Sequence, residues 1–155
     1  FPDETNKYQI PGYNMSLQPR LTDRSSGVVI YVDQTLICTT EHHDLTSAQV
    51  LQICLSGWND TRLSIIGVYR DLKVNVKIFL QEFELLLKNK CNPSIIIGDM
   101  NLDILKQNKK ETLDYLNLIM SYGYLSCINE PTRVTKNSLT CIDHALVRNS
   151  SCLTI

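Results

Sequence analysis

Asp99 and Asn101 are the residues best placed to do chemistry. They leave the run Ser94-Ile95-Ile96-Ile97-Gly98 two positions apart. A carboxylate can bind a hard cation or orient a water, and a carboxamide can donate to a phosphate oxygen. A short β-branched run before a glycine reads as a strand buried on both faces. Gly98 gives the chain room to turn. Asp99 and Asn101 then emerge at the strand's C-terminal end, where open α/β sheets place their ligands. A plainer reading makes Gly-Asp a turn and Asn101 the cap of a helix that starts at Leu102. These residues alone favour the plainer reading.

Two other places carry titratable groups. Asp143 lies in the run Leu139 to Val147, among Leu, Cys, Ile, Ala and Val. A carboxylate in such a strand is costly unless it is partnered, so it either takes backbone donors or orients a histidine or a metal. His144 follows directly and points to the opposite strand face, away from any centre that Asp143 serves. Glu41-His42-His43-Asp44 invites a metal reading, but adjacent side chains diverge, and a solvated loop is expected. Arg20 and Arg24 flank Ser25-Ser26-Gly27 in a loop that reads as solvated.

The elements that must position these groups follow from periodicity. Residues 1–26 are turn-rich, with an extended piece and turn at Gln9-Ile10-Pro11-Gly12-Tyr13. Residues 28–32 and 36–40 read as a hairpin across Asp33-Gln34, and Leu51, Ile53 and Leu55 mark a third strand. Trp58 reads as a packing residue at the next turn, and residues 62–69 are a fourth strand. Over residues 74–89 the period changes: Phe79, Phe83 and Leu86 share a face with Leu80 and Leu87 beside them, which predicts an amphipathic helix. Strand, helix and strand form a crossover, so residues 62–69 and 94–98 should run parallel. A short helix is expected over residues 102–110. A clear one is expected over 111–122, with Leu113, Leu116 and Met120 inward and Gly123 as its stop. Residues 125–128 and 139–147 read as strands, with loop at 130–137.

Composition bounds the class. At 155 residues, 43% hydrophobic and 20% charged, the chain reads as one globular domain spanning 1–155. A net charge of -1 announces no bulk affinity for nucleic acid, though a local basic face is allowed. No apolar run reaches membrane-spanning length, and the polar opening predicts no secretory leader. The six cysteines form no CxxC pair and fit no zinc spacing. Cys38, Cys54, Cys127 and Cys141 are expected as small, reduced core residues of an intracellular protein.

An ordered series of short motifs adds to this. It runs Ile10-Pro11-Gly12-Tyr13, Gly27 to Val32, Gly67-Val68-Tyr69-Arg70, Ile97-Gly98-Asp99-Met100-Asn101, Pro131-Thr132-Arg133 and Ile142-Asp143-His144. In that order it resembles the endonuclease domain of LINE-type (non-LTR) retrotransposons, within the endonuclease/exonuclease/phosphatase superfamily. The resemblance covers nearly all of the chain. It implies an α/β fold of two β-sheets packed as a sandwich with helices on the outer faces, four layers in the DNase manner. It also implies hydrolysis of a DNA phosphodiester with Mg²⁺ or Mn²⁺.

Carried over residue by residue, Asp99 matches the aspartate that activates water, and it is the metal ligand present. Asn101 matches the asparagine that positions the phosphate. Tyr69 matches the tyrosine near the scissile phosphate, and Asp143 the aspartate that pairs with a catalytic histidine. Thr132, Arg70 and Arg133 match substrate-facing positions. The resemblance also implies DNA as partner, a reverse transcriptase domain in the full-length polypeptide, no membrane, and nuclear action.

The departures are specific. The family's first-strand asparagine and metal-binding glutamate are expected upstream of Phe1, and its catalytic histidine beyond Ile155. The chain is thus expected to be truncated at both ends and weak or inactive alone. Glu4 and His144 are not those residues, and Asp71-Leu72 replace the usual Pro-Pro. Three readings therefore stand: a DNA-nicking endonuclease, a phosphoesterase of the same superfamily, and a catalytically dead remnant that serves at most as a binding module.

Overall fold

The computed structural model describes residues 7–18, 27–57, 62–88 and 93–149. Expectations for Glu4, Arg20, Arg24, Trp58, Cys91 and Cys152 lie outside these residues. In chain order the elements are β1 (Tyr13–Gln18), β2 (Val28–Asp33), β3 (Cys38–Asp44), β4 (Ala48–Ser56), β5 (Arg62–Arg70), α1 (Val76–Lys88), β6 (Ser94–Asp99), α2 (Lys110–Ser121), β7 (Leu125–Ser126), β8 (Arg133–Val134), β9 (Leu139–Thr140) and β10 (Asp143–Arg148).

Six strands form the main sheet, in the order β3-β4-β5-β6-β10-β7. The crossover through α1 makes β5 and β6 parallel, as the change of period predicted. The other ladders of the sheet are antiparallel. α1 begins where the Asn75 side chain accepts the Lys77 N–H at 2.8 Å, a short polar cap for an open helix end. It buries Phe79, Phe83, Leu86 and Leu87 against Val50, Ile66, Val68 and Ile96 of the sheet.

Glu82 ties α1 to the β3–β4 turn. Its carboxylate accepts the Thr46 N–H and hydroxyl at 3.1 and 2.6 Å, the Ser47 N–H at 3.0 Å, and the Ser47 hydroxyl. On the sheet's opposite face β1 and β2 form a two-stranded antiparallel sheet that lies against β4 and β5. Leu51 and Ile53 are fully buried there.

Several expectations are corrected. β2 does not form a hairpin with β3. It pairs back with β1, so the chain crosses from one sheet to the other at Asp33-Gln34. β1 itself falls in a segment expected to be loop. Residues 41–44 end β3 rather than forming a loop, although His42 and His43 do diverge, toward Gln18 and Gln52.

Residues 102–109 form turns, not a short helix. The last strand is broken at Cys141-Ile142 into β9 and β10. α2 buries Thr112, Tyr115 and Ile119, whereas Leu113 and Met120 are 43% and 65% exposed. Tyr115 turns the helix because its hydroxyl reaches a buried partner on β10. β6 is buried on its helix side only: Ile97 is 51% exposed, because β1 and β2 cover β4 and β5 and stop short of it. Cys141 is buried, but Cys38 and Cys54 are half-buried and Cys127 is exposed. α1 and α2 pack in one core cluster against the six-stranded sheet, and the β1–β2 sheet lies against β4 and β5. The sandwich of sheets with outer helices is as expected. No helix among the described residues is long and apolar enough to cross a membrane.

Candidate functional site

Strand register brings three of the expected residues into one row. Tyr69 on β5 is the partner of Asp99 on β6, and Asp99 is the partner of Asp143 on β10. Their neighbours Val68, Ile96 and His144 are the residues buried against the helices. Alternation therefore turns Tyr69, Asp99 and Asp143 to the other face, at the edge where β5 and β6 end.

Gly98 makes this spacing possible. A Cβ there would lie 1.7 Å from the Val68 carbonyl oxygen, so only glycine lets β5 and β6 close up beside Asp99.

Asp99 is half-buried, and its Oδ1 accepts the Asn101 N–H at 2.9 Å. Burial pushes its carboxyl above the usual range, against the pull of that N–H, and the charge of Asp143 adds to the rise. The charge of Arg133 opposes it. Asn101 sits at φ 49°, a left-handed conformation that asparagine tolerates better than most residues. It is therefore a turn residue and not a helix cap. Its Nδ2 donates to the Arg70 carbonyl at 2.9 Å, which fixes the amide between the ends of β5 and β6.

Arg70 departs from the phosphate-facing placement expected of it. It is 3% exposed, on the helix side of β5. Its guanidinium donates to the carbonyls of Val74 at 2.9 Å and Asn101 at 3.2 Å and lies over the Phe79 ring. The physical reason is the two-residue period of a strand, which must put Arg70 opposite Tyr69.

Asp143 is exposed rather than sunk in an apolar strand, because it begins β10 at the break after Ile142. The Thr132 hydroxyl accepts the N–H groups of Ile142 and Asp143, each at 3.2 Å, and so anchors the β8–β9 hairpin beside the row. Arg133 is exposed on that hairpin.

Behind the row lies a pair that the sequence did not reveal. His144 is 1% exposed; its Nε2 reaches the carbonyls of Leu102 at 3.0 Å and Cys141 at 3.2 Å. Facing two acceptors, Nε2 must carry a proton. Nδ1 then accepts the Tyr115 hydroxyl at 2.8 Å. Burial lowers the His144 pKa and so favours this neutral form. The pair joins α2, β10 and the segment after Asp99. An inward aromatic at position 115 was the available signal, hidden by the equally periodic Leu113, Leu116 and Met120.

The donor set of the row is all oxygen. Among the described residues no three His, Cys, Asp or Glu side chains converge as a metal cage. Two facing carboxylates still suit Mg²⁺, which keeps several waters and uses one or two carboxylates. They do not suit zinc.

The comparisons with known proteins follow this geometry. The sequence pattern of the Endonuclease/Exonuclease/phosphatase family matches residues 2–154. No curated protein sequence matches the chain significantly. Among solved structures, the chain is similar to the endonuclease domain of TRAS1, a telomere-specific non-LTR retrotransposon, with TM-score 0.66 and 11% identity over 93% of this chain and 68% of that one. It is also similar to the human nocturnin catalytic domain, with TM-score 0.63 and 14% identity over 88% of this chain and 60% of that one. A third is the Xenopus laevis APE2 catalytic domain, with TM-score 0.62 and 14% identity over 94% of this chain and 69% of that one. The chain thus spans about three-fifths to two-thirds of these structures. At such identities the likeness is one of fold.

Proposed function

The chain belongs to the endonuclease/exonuclease/phosphatase family, and on that premise we propose that it carries a metal-dependent site that nicks DNA. The observation behind this is the register row of Tyr69, Asp99 and Asp143, with Asn101 bonded to Asp99 beside it. Asp99 and Asp143 would hold Mg²⁺ or Mn²⁺, which supplies charge uptake on the phosphate oxygens. Asp99 orients the attacking water. Asn101 keeps one amide hydrogen on Arg70 and offers the second to a non-bridging oxygen. Tyr69 donates from the other side. Thr132 holds the hairpin, and exposed Arg133 is a cation there that meets the DNA backbone. A nuclear site of action and a reverse transcriptase domain in the same polypeptide belong to this reading.

The experiment is nicking of supercoiled plasmid in Mg²⁺, by the chain and by versions extended into flanking sequence. Hydrolysis of p-nitrophenyl phosphate is followed in parallel. We expect nicking that Asp99→Ala abolishes. Asp99→Asn should lower turnover about 100-fold or more while DNA affinity changes far less, because DNA is held mainly by backbone contacts. Monoester hydrolysis without nicking would replace this reading with that of a phosphatase. Inactivity of every extended version would leave the remnant.

A further inference from the structure

The catalytic row does not end at Tyr69. Gln49 on β4 is the register partner of Tyr69, and Asp44 on β3 is the partner of Gln49. One line of side chains therefore runs Asp44, Gln49, Tyr69, Asp99, Asp143 across five strands. The Gln49 Oε1 is buried and has no hydrogen-bond partner. A buried acceptor left open is costly unless a ligand or water completes it. Gln49, Asp44, Thr46 and Gln18 line a cavity of about 230 Å³ at the corner between β3 and β4. That is smaller than the usual pocket for a whole cofactor and suits a fragment such as one base.

Besides the amides of Gln49 and Gln18 and the His43 ring, which bonds Gln52 at 3.0 Å, the polar side-chain atoms at this corner are acceptors. Asp44 presents a carboxylate and Gln49 its open carbonyl. The Thr46 hydroxyl proton is committed to Glu82 at 2.6 Å, which leaves its oxygen lone pairs. Gln18 Oε1 already serves His42. A carboxylate beside an open, buried carbonyl disfavours phosphate and suits a donor. Gln49 stands two strands from Asp99, roughly 10 Å away at normal strand spacing. A nucleotide spans such a reach between its phosphate and the far edge of its base.

We propose that the β3–β4 corner is a subsite for one nucleobase with an exocyclic amino group, on the nucleotide next to the scissile phosphate. Adenine, cytosine and guanine qualify, and thymine does not. The position of the nucleotide rests on the hydrolytic reading above; the chemistry of the corner does not. Gln49 Oε1 accepts from the amine, and the Gln49 amide is free to donate to a neighbouring ring nitrogen, as carboxamides do with adenine.

The test is titration of the ¹⁵N-labelled chain with deoxyadenosine, deoxyinosine and thymidine, reading the Gln49 side-chain amide and the Thr46 backbone amide. Deoxyinosine carries a carbonyl oxygen in place of the amine of deoxyadenosine, and thymidine carries the same sugar hydroxyls. Deoxyadenosine should bind about tenfold more tightly than either, the scale of one buried hydrogen bond. Gln49→Leu should erase that preference and Gln49→Glu should keep it. Asp99→Asn should leave it in place, so failure to nick and failure of the subsite are told apart. Equal shifts with all three nucleosides, shifts that survive Gln49→Leu, or no shift at Gln49 with any of them would overturn the proposal. Should Gln49→Leu fail to fold, the comparison of deoxyadenosine with deoxyinosine still decides it.

Discussion

Asp99 and Asp143 are the last register pair of the β6–β10 ladder, two carboxylates side by side across antiparallel strands. Like charges opposite one another destabilise a sheet by about 0.2–1 kcal/mol. Burial and the Asp143 charge both hold the Asp99 carboxyl above its usual range. A carboxyl raised in the folded state keeps its proton more readily folded than unfolded. The associated stability is present at acid pH and is lost as pH rises through the raised value.

Removing that charge should therefore help the fold at neutral pH. In chelator, Asp99→Asn should melt about 2 °C above the parent at pH 7, with the gap closing toward acid pH. Millimolar Mg²⁺ should raise the parent's melting temperature and leave Asp99→Asn unmoved. A variant that melts lower than the parent at pH 7, or that gains equally from Mg²⁺, would contradict the pairing.

Tyr115 and His144 make a second testable pair. Burial pushes the Tyr115 phenol far up, so it stays protonated and donates. Tyr115→Phe should cost about 1–2 kcal/mol in urea denaturation, because it leaves the buried Nδ1 acceptor empty. The His144 pKa is lowered by burial, so the unfolded chain binds the proton more readily than the folded one. Its contribution is present above about pH 6.5 and fades as pH falls below that value. His144→Gln should flatten the loss of stability between pH 7.5 and 5.5. An unchanged slope would show that His144 does not titrate with unfolding.

The parts of the fold legible in the sequence are those set by local period. The β5–α1–β6 crossover is written in the switch from alternation to the Phe79, Phe83, Leu86 spacing, and it holds. The partner of β2 is not written locally. A strand that pairs forward with β3 and one that pairs back with β1 show the same alternation, and Asp33-Gln34 suits a turn in either case. Asp99 was legible because it ends a strand at a glycine. Tyr69 and Asp143 are named by the motif series, but their alignment in one row with Asp99 is not written locally, since register across strands is a non-local property. Arg70 was misplaced although alternation alone put it opposite Tyr69; the motif outweighed the period. Asp143 looked buried because the break at Cys141-Ile142 is made by distant groups. The Asp103 carboxylate accepts the Cys141 N–H at 3.0 Å, and Thr132 takes the two N–H groups that follow.

Glu82 should set part of the acid sensitivity. Burial alone would raise its carboxyl, but the donors on Ser47 and Thr46 outweigh that and hold it below the usual range. A carboxyl lowered by folding gives stability that is present above its unfolded value and lost as pH falls through the folded one. Glu82→Gln keeps the shape but not the charge that strengthens these bonds. It should cost about 1–2 kcal/mol at pH 7, with a gap that narrows in acid. A gap independent of pH would assign the loss to packing instead.

Two glycines of the sheet should differ sharply in what the same added methyl group costs. At Gly67 a Cβ would lie 2.5 Å from Cγ1 of Val28, a side chain on the separate two-stranded sheet. That methyl can turn away, or β2 can shift, so Gly67→Ala should cost about 1–2 kcal/mol, within the range for modest overpacking. At Gly98 the Cβ would meet the Val68 carbonyl oxygen at 1.7 Å and its carbonyl carbon at 2.7 Å. Backbone cannot rotate out of the way, and Val68 is held in register with Gly98 by the β5–β6 ladder. The strands would have to separate beside Tyr69 and Asp99. Gly98→Ala should therefore cost about 4 kcal/mol or more, a size reserved for named steric failures. In soluble expression and thermal melting, Gly67→Ala should stay folded while Gly98→Ala is lost or melts far lower. Similar melting temperatures for the two would show that β5 and β6 can part without cost, and the close packing that sets the row would not be what holds Asp99 in place.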